Sequence, residues 1–303
     1  MTGIILMLTG AFFFPGVILQ TKSIASGRKG PGLLQPVRDI MVLMRKDPVF
    51  SKTTGIIFQI APVITLSSIF CAMLVIPFAS QKAIISFDGD FIFFAYLLAL
   101  GKFFSIIAAL DTGSSFEGMG ANREAFFSML IEPAFFILLA TFAMFTGYTS
   151  FSGIFSHFFI TGSHYVLIFS IIGSYLFLQI AMVENSRVPV DDPKTHLELT
   201  MIHEVMILDN SGFDKALIHA GSYLKFAIYG ALIYNVIVPA GWNIFLQIAL
   251  FLAIQAAFAI VIGLIESFRA RNKMNLNPKY ILIFSSIAWI AFLIILILTD
   301  KLV

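Results

Sequence analysis

Charged residues are scarce in this sequence: Lys, Arg, Asp and Glu make up only 12% of its 303 residues, whereas 59% are hydrophobic. A soluble domain carries roughly a quarter charged residues to cover its surface. Together with a mean hydropathy of +0.94, this deficit means that the bilayer is the solvent for most of the chain. The composition therefore excludes a soluble enzyme and indicates a membrane protein that crosses the bilayer several times.

Cysteine is almost absent as well. The sequence has a single cysteine, Cys71, which lies inside an apolar run. This excludes a disulfide within the chain and the cysteine clusters that hold iron–sulfur centres. There is also no Walker loop and no glycine-rich dinucleotide fingerprint. We therefore expect this chain to bind no cofactor or metal of its own, and we expect Cys71 to be a small buried apolar residue.

Apolar runs, in contrast, are abundant. About 20 apolar residues span a bilayer, and the sequence has room for about eight such helices. It predicts an all-α polytopic membrane protein that forms a single integral membrane domain over residues 1–303. The N-terminal run lacks a basic start and a cleavage site, so we expect a retained span and not a signal peptide. The predicted spans are residues 3–20, 55–78, 91–110, 125–145, 165–183, 223–239, 242–266 and 280–299.

The connection between the first two spans changes character part-way along. It starts as a glycine-rich loop, and from Leu33 onward it has apolar residues at helical spacing with polar residues on the other side. This pattern predicts a short amphipathic helix that lies on the membrane surface. Its apolar residues are Leu33, Leu34, Val37, Ile40, Met41 and Met44.

Lys and Arg are unequally distributed among the connections. Nearly all of them follow odd-numbered spans, whereas the other side of the membrane has only Lys82 and Lys301. By the positive-inside rule the odd connections are cytoplasmic and both termini lie outside. We therefore expect a multi-pass protein of the cell inner membrane, with the connections at 22–54 and 184–222 in the cytoplasm.

The connection after the fifth span holds an unusual density of charge, ENSRVPVDDPKTHLELTMIHEVMILDNSG at 184–212. One interpretation is a solvated amphipathic helix, with Leu197, Met201, Val205 and Leu208 on one face. A metal site at His196, His203 and Glu204 is disfavoured, because metalloprotease helices place two His four residues apart and these are seven apart. The DTGS run at 111–114 matches aspartic proteases, but no second copy exists to supply the carboxylate pair.

Ionisable residues also occur inside the predicted spans, at Lys102, Glu132, Lys225 and Glu266. A charge at the bilayer centre costs at least about 2.5–3.5 kcal/mol, so such residues normally pair or relay protons inside the bundle. Lys102, Lys225 and Glu266 have the alternative of reaching an interface with their long side chains. Glu132 is followed by Pro133, whose missing N–H suits a polar axis. The residues that we predict to relay protons or charge are Lys102, Arg123, Glu132, Glu184, Asp191, Asp192, Glu198, Glu204, Asp209 and Glu266.

Three segments together resemble a known family. They are GRKGPGLLQPVRDIMVLMRKD, LDTGSSFEGMGANREAFFSMLIEP and the charged stretch at 184–212. They look like the membrane-anchor subunit that respiratory complex I shares with the energy-converting group 4 nickel–iron hydrogenases. The third segment is more similar to the hydrogenase-4 and formate hydrogenlyase branch, because complex I members usually have N-R-x-P-F-D-L-P-E there.

The resemblance implies a subunit that clamps a peripheral redox arm onto the membrane. It implies arm docking by Arg28, Gly30, Pro31, Gln35, Pro36 and Arg38 in the loop at 22–54, and an acidic junction loop at 184–222. Arg123, Glu132 and Glu198 match charged positions of the family, and Asp209 with Ser211 and Gly212 stands in place of Glu-Tyr-Ser-Gly. The implied partners are hydrogenase-like and iron–sulfur subunits that carry the nickel–iron centre and clusters, together with antiporter-like membrane subunits.

The expected function is therefore coupling of electron transfer in the arm to proton or sodium translocation, by a membrane subunit that is not itself catalytic. Compared with the complex I motif, the chain lacks the Phe and the acidic cluster just after the Pro, which disfavours a quinone cavity, although a quinone-reducing relative of complex I remains an alternative. A self-contained ion transporter with breaks near Pro15, Pro62 and Pro133 is disfavoured, because the inverted repeats of such folds are not found.

Overall fold

The apolar runs fold as helices. The computed structural model describes residues 2–79, 81–161, 165–192 and 201–299, and within these ranges it contains helices, turns and no strand. The helices are α1 (Thr2–Ala25), α2 (Gln35–Met44), α3 (Ile56–Leu74), α4 (Asp90–Asp111), α5 (Ser115–Thr146), α6 (Phe151–Thr161), α7 (Val166–Glu184), α8 (His203–Met206), α9 (Gly212–Ile237), α10 (Ile244–Phe268) and α11 (Asn277–Leu298).

Eight of these helices are long and apolar enough to cross a membrane: α1, α3, α4, α5, α7, α9, α10 and α11. The predicted all-α membrane fold is therefore confirmed. We call the end of the bundle with connections 26–55, 112–114, 185–211 and 269–276 the basic face, and the other end the opposite face.

Two long helices begin earlier than the sequence predicted. Helix α5 starts at Ser115 and runs for 32 residues, so that most of the polar segment predicted as a loop is helical. Helix α9 starts at Gly212, well before the predicted residue 223. Both extensions contain charged side chains that are buried against the bundle, such as Glu117 and Asp214, and a hydropathy pattern cannot detect them. Helix α6 was predicted as loop, because its 11 residues are too few to span a bilayer.

The short helix predicted from Leu33 onward is present as α2, with Ile40 buried and Met41 and Val42 exposed; its position at the membrane surface stays a prediction. The predicted apolar face on residues 197–208 is wrong for its described part. Only His203–Met206 is helical there, and Val205 is buried whereas Leu208 is exposed. Leu197, His196 and Glu198 lie outside the described residues. The prediction for Cys71 is also wrong, because its side chain is exposed on the outer surface of α3, where lipid supplies the apolar environment.

Helix α9 forms the centre of the bundle. Its residues from Phe226 to Val236 are all buried, and it contacts α1, α2, α3, α7 and α10. Close packing depends on small residues here: a Cβ on Gly230 would lie 2.3 Å from Gln255 Oε1 of α10. Polar side chains on α9 therefore face other helices and not lipid.

The DTGS run has a structural explanation. Asp111 ends α4, and its Oδ2 accepts the backbone N–H of Gly55 at 2.8 Å and of Phe58 at 3.2 Å. These amides belong to the start of α3, where the first N–H groups of a helix lack a partner within the helix. Asp111 thus caps a neighbouring span, and the resemblance to a protease motif carries no catalytic meaning.

Candidate charge-relay site

Four charged side chains meet between α4, α5, α7 and α9, close to the basic face. Glu184 is at the centre: Lys102 Nζ lies 2.5 Å from its Oε1, and Lys225 Nζ lies 3.9 Å from its Oε2. Lys102 Nζ also lies 3.5 Å from Glu124 Oε1. Lys225 Nζ donates to the backbone carbonyl of Glu184 at 3.1 Å. We call Lys102, Glu124, Glu184 and Lys225 the ionic cluster.

The ionic cluster balances two positive and two negative charges in a buried place. Its side chains are between 9% and 17% exposed. Buried charges are tolerated when they are paired and hydrogen-bonded, and removal of one partner is strongly destabilising. Because the effective dielectric constant is low there, a proton gained or lost at one carboxylate changes the energy of the other members. A change of protonation at one carboxylate therefore alters the energy of charged side chains on four helices.

A close contact between two helices lies next to the cluster. Gly101 precedes Lys102, and a Cβ on it would lie 2.4 Å from Ser68 Oγ of α3. Lys102 therefore lies one residue beyond a point where α3 and α4 pack closely. On α5, Glu124 is buried on the same side as Ser128 and Ile131, which are four and seven residues further along.

Glu132 lies beside the cluster, two turns of α5 beyond Glu124. It lines a cavity of about 30 Å³ together with Lys102, Glu184 and Tyr229. No ion pair joins Glu132 to another described residue. The cavity therefore places a half-buried carboxylate next to the cluster without locking it into a salt bridge.

A second ionic group involves Glu266 at the end of α10. Its carboxylate lies 2.9 Å from Lys22 Nζ and 3.3 Å from Arg187 Nη1, and its side chain is only 1% exposed. These contacts join the ends of α1 and α10 to the connection after α7. Glu266 is therefore separate from the ionic cluster.

Asp191 holds the two described ends of the junction connection together. Its Oδ2 accepts the N–H groups of Ile202 at 3.2 Å and His203 at 3.0 Å, and its Oδ1 lies 2.9 Å from Arg271 Nη2. Burial raises the pKa of Asp191 above its usual range, and the hydrogen bonds and Arg271 oppose this rise. Arg123 adds a bond from Nη1 to the carbonyl of Met201 at 3.1 Å.

The remaining predicted relay residues lie apart from the cluster. Asp192 follows Asp191 and is half-buried. Glu204 lies 3.8 Å from Lys215. Asp209 is exposed, and its backbone N–H donates to Glu117 Oε1 at 3.0 Å. Glu198 lies outside the described residues. The structure thus brings Lys102, Glu132 and Glu184 together, and Asp191 lines a small cavity with Lys102 and Glu124. The other predicted residues within the described ranges lie elsewhere on the basic face.

The residues predicted to dock a partner lie on the same face. Arg28, Gly30, Pro31 and Arg38 are exposed. Gln35 donates to Asp39 Oδ1 at 2.7 Å, and Pro36 is buried in the first turn of α2.

Residues 46–49, in the connection predicted to dock a partner, are attached to residues 211–213 by hydrogen bonds and a close backbone approach. Phe213 N–H donates to the Lys46 carbonyl at 3.1 Å, Val49 N–H donates to Ser211 Oγ at 2.8 Å, and Gly212 passes close to Asp47.

Sequence analysis missed Glu124 and His203 as site residues and left Lys225 with an interfacial alternative. Glu124 was assigned to a loop. Its spacing from Glu117 and Ser128, seven and four residues away, puts all three on one helical face, and this signal was available. His203 is separated from the cluster by a long stretch of sequence, so only the fold reveals its position. Within the described residues, no group of three or more His, Cys, Asp or Glu is placed to hold a metal ion.

A family model described as NADH dehydrogenase matches residues 1–297. The chain belongs to this family. Among curated members, it is 28% identical to hydrogenase-4 component C of Escherichia coli K12, over 95% of this chain and 90% of that protein. It is also 28% identical to formate hydrogenlyase subunit 4 of the same organism, over 93% of this chain and 92% of that protein.

One solved structure has a similar fold over nearly the whole chain. It is a chain of the membrane-bound sulfane sulfur reductase, an archaeal respiratory membrane complex, with a TM-score of 0.80 and 96% of each chain covered. At 18% sequence identity this likeness shows the fold alone. The predicted resemblance to complex I and group 4 hydrogenase subunits is confirmed by the family match and by the two Escherichia coli relatives.

Proposed function

We propose that this chain is the membrane subunit of a multi-subunit oxidoreductase of the hydrogenase-4 and formate hydrogenlyase type, related to complex I. It anchors a peripheral redox arm and couples electron transfer in that arm to proton or sodium translocation. The family match and the two relatives support the assignment to such a complex.

The observation that supports coupling is the ionic cluster. Lys102, Glu124, Glu184 and Lys225 come from four helices and are nearly inaccessible to solvent. Paired ionisable residues inside a membrane bundle typically mark proton relays or ion pathways. We assign the cluster as the relay, with Glu132 as its neighbour deeper in the membrane.

The other residues predicted to relay charge connect the arm to the cluster or hold helices together in this proposal. Arg123, Asp191, Asp192, Glu204 and Asp209 lie along the junction connection and transmit changes at the arm to the cluster. Glu266 holds α10 to α1 through Lys22. Glu198 completes the acidic loop.

The basic face is the cytoplasmic docking surface in this proposal. Its Lys and Arg residues place it inside by the positive-inside rule, with both termini outside, in the cell inner membrane. Arg28, Gly30, Pro31, Gln35, Pro36 and Arg38 contact the arm, whose hydrogenase-like and iron–sulfur subunits carry the nickel–iron centre and clusters. Antiporter-like membrane subunits pack at the side of the bundle.

Purification of the tagged chain under mild conditions tests this assignment. We expect it to bring down subunits that contain nickel and iron, and we expect ion transport only in the intact complex. Reconstitution of the chain alone in liposomes is the control. Full ion transport by the solitary chain would instead make it a self-contained transporter.

A further inference from the structure

Two small cavities lie between the ionic cluster and the basic face. The first, of about 40 Å³, is lined by Lys102, Glu124, Glu184 and Lys225 together with the hydroxyls of Ser105 and Ser222. The second, of about 20 Å³, is lined by Asn210, Pro62 and Ala108. Thr65, Ser105 and His203 line both cavities, so the two adjoin at these side chains.

Two buried polar atoms along this route have no hydrogen-bond partner among the residues that the structure describes. They are Nε2 of His203 and Oδ1 of Asn210. A buried polar group without a partner costs about 1–3 kcal/mol, so such groups in native proteins usually bind an ordered water. A cavity needs about 10–15 Å³ of this kind of space to hold one water, and both cavities exceed that size.

From these observations we propose that water fills both cavities, and that His203 joins the two waters into one hydrogen-bonded proton path from Asn210 to the ionic cluster. This inference rests on the proposed function, because it supplies the cytoplasmic entrance to the relay. Asn210 is buried but directly follows the exposed Asp209, so the path reaches within one residue of the surface of the basic face.

His203 suits a position between two waters because it stays uncharged. Burial, followed by the positive charge of Lys225, lowers the pKa of His203 to about 3. A neutral imidazole has one nitrogen that donates and one that accepts, so it can pass a proton without storing a charge beside the lysines. The groups that face it across the first cavity are Lys102, Glu124, Glu184 and Lys225. His219 and Lys215 of α9 also act on its charge, and Asn210 lies across the second cavity.

Replacement of His203 by two residues of different character separates a water path from simple packing. In the intact complex in liposomes, we expect His203→Leu to lower the rate of proton pumping by roughly 100-fold, as is typical when a positioned proton-transfer group is lost. His203→Ser leaves space for another water and should retain most of the pumping. A packing role predicts the reverse order, since Leu fills the site better than Ser.

Controls distinguish this inference from the proposed function. His157→Leu changes a histidine of the opposite face that lines neither cavity and should pump normally. Should His203→Leu fail to assemble, Asn210→Leu interrupts the same path at its other end and should show the same loss. Normal pumping by His203→Leu, or Ser no better than Leu, overturns the inference. If Glu184→Gln stops pumping while His203→Leu does not, the proposed function is supported and only the water path is excluded. If Glu184→Gln also pumps normally, the proposed role of the ionic cluster is excluded as well.

Discussion

At the scale of single residues, the buried charges divide into those that hold the structure together and those that are placed to change charge. Asp111, Asp191 and Glu266 are fully occupied by backbone amides or by opposite charges. Glu132 has no such partner and faces a cavity beside Lys102. This difference separates carboxylates whose loss weakens the fold from a carboxylate whose loss alters coupling.

The Glu132→Gln substitution tests this distinction. We expect the complex to assemble in normal amounts, because no ion pair is broken, and to translocate fewer ions for each electron transferred. Ion uptake and electron transfer are measured together in liposomes. Asp88→Asn, on the opposite face, is the control. Unchanged ion uptake by an assembled Glu132→Gln complex would exclude Glu132 from the relay.

His203 predicts a pH dependence of stability. The pKa of His203 is lowered from its ordinary value of 6.5, which applies to the unfolded chain, to about 3 in the folded protein. Between these values the unfolded chain binds a proton that the folded chain excludes. The resulting stabilisation is complete above pH 6.5 and is lost as the pH falls toward 3, with a slope of up to about 1.4 kcal/mol per pH unit. The unfolding temperature measured against pH should show this slope.

The matched variants for this prediction are His203→Gln and His157→Gln. The first removes the buried imidazole and should flatten the dependence between pH 6.5 and 3. The second removes an imidazole from the opposite face and controls for the substitution itself. An unchanged slope in His203→Gln would show that another group is responsible.

At the scale of elements, the spans could be predicted and their ends could not. Apolar runs located all eight spans, because bilayer thickness sets their length. The extensions of α5 and α9 carry polar residues that are buried by neighbouring helices, so hydropathy assigned them to loops. This error affected the prediction of the site most, because Glu124 lies in the part of α5 that was assigned to a loop. Charged residue types within or next to apolar runs identified Lys102, Glu132 and Glu184 as candidates. Which of the charges pair with one another could be seen only in the folded structure.

The contact between segment 45–50 and the start of α9 depends on Gly212. Its φ of +51° is unfavourable for other residues, and a Cβ would lie 2.4 Å from the Asp47 carbonyl. We expect Gly212→Ala to cost about 1–3 kcal/mol and to release segment 45–50 from α9.

Limited proteolysis of the complex measures this release. Faster cleavage within 45–50 and lower recovery of the peripheral arm are the expected results for Gly212→Ala. The control is Gly241→Ala, where a Cβ meets nothing within 4 Å. Equal cleavage of the two variants would mean that the connections are held together by other contacts.

At the scale of the whole molecule, the distribution of Lys and Arg predicts orientation. In a Cys71→Ser background, a cysteine at Ser51 marks the basic face and one at Gly241 marks the opposite face; both positions are exposed. A membrane-impermeant maleimide applied to intact cells should label position 241 and spare position 51 until the membrane is opened. The reverse pattern would place the basic face, and the docking residues, outside.

The central claim is that a buried, charge-balanced cluster couples the arm to ion movement. Glu184 makes contacts with both lysines, so Glu184→Gln removes the negative charge that they share. The most direct measurement is the number of ions translocated per electron by the assembled complex in liposomes, for the native and Glu184→Gln proteins. We expect a smaller yield of assembled complex, because two buried lysines lose their shared partner, and continued electron transfer without ion translocation in the assembled fraction. A native ratio in the assembled variant would contradict it.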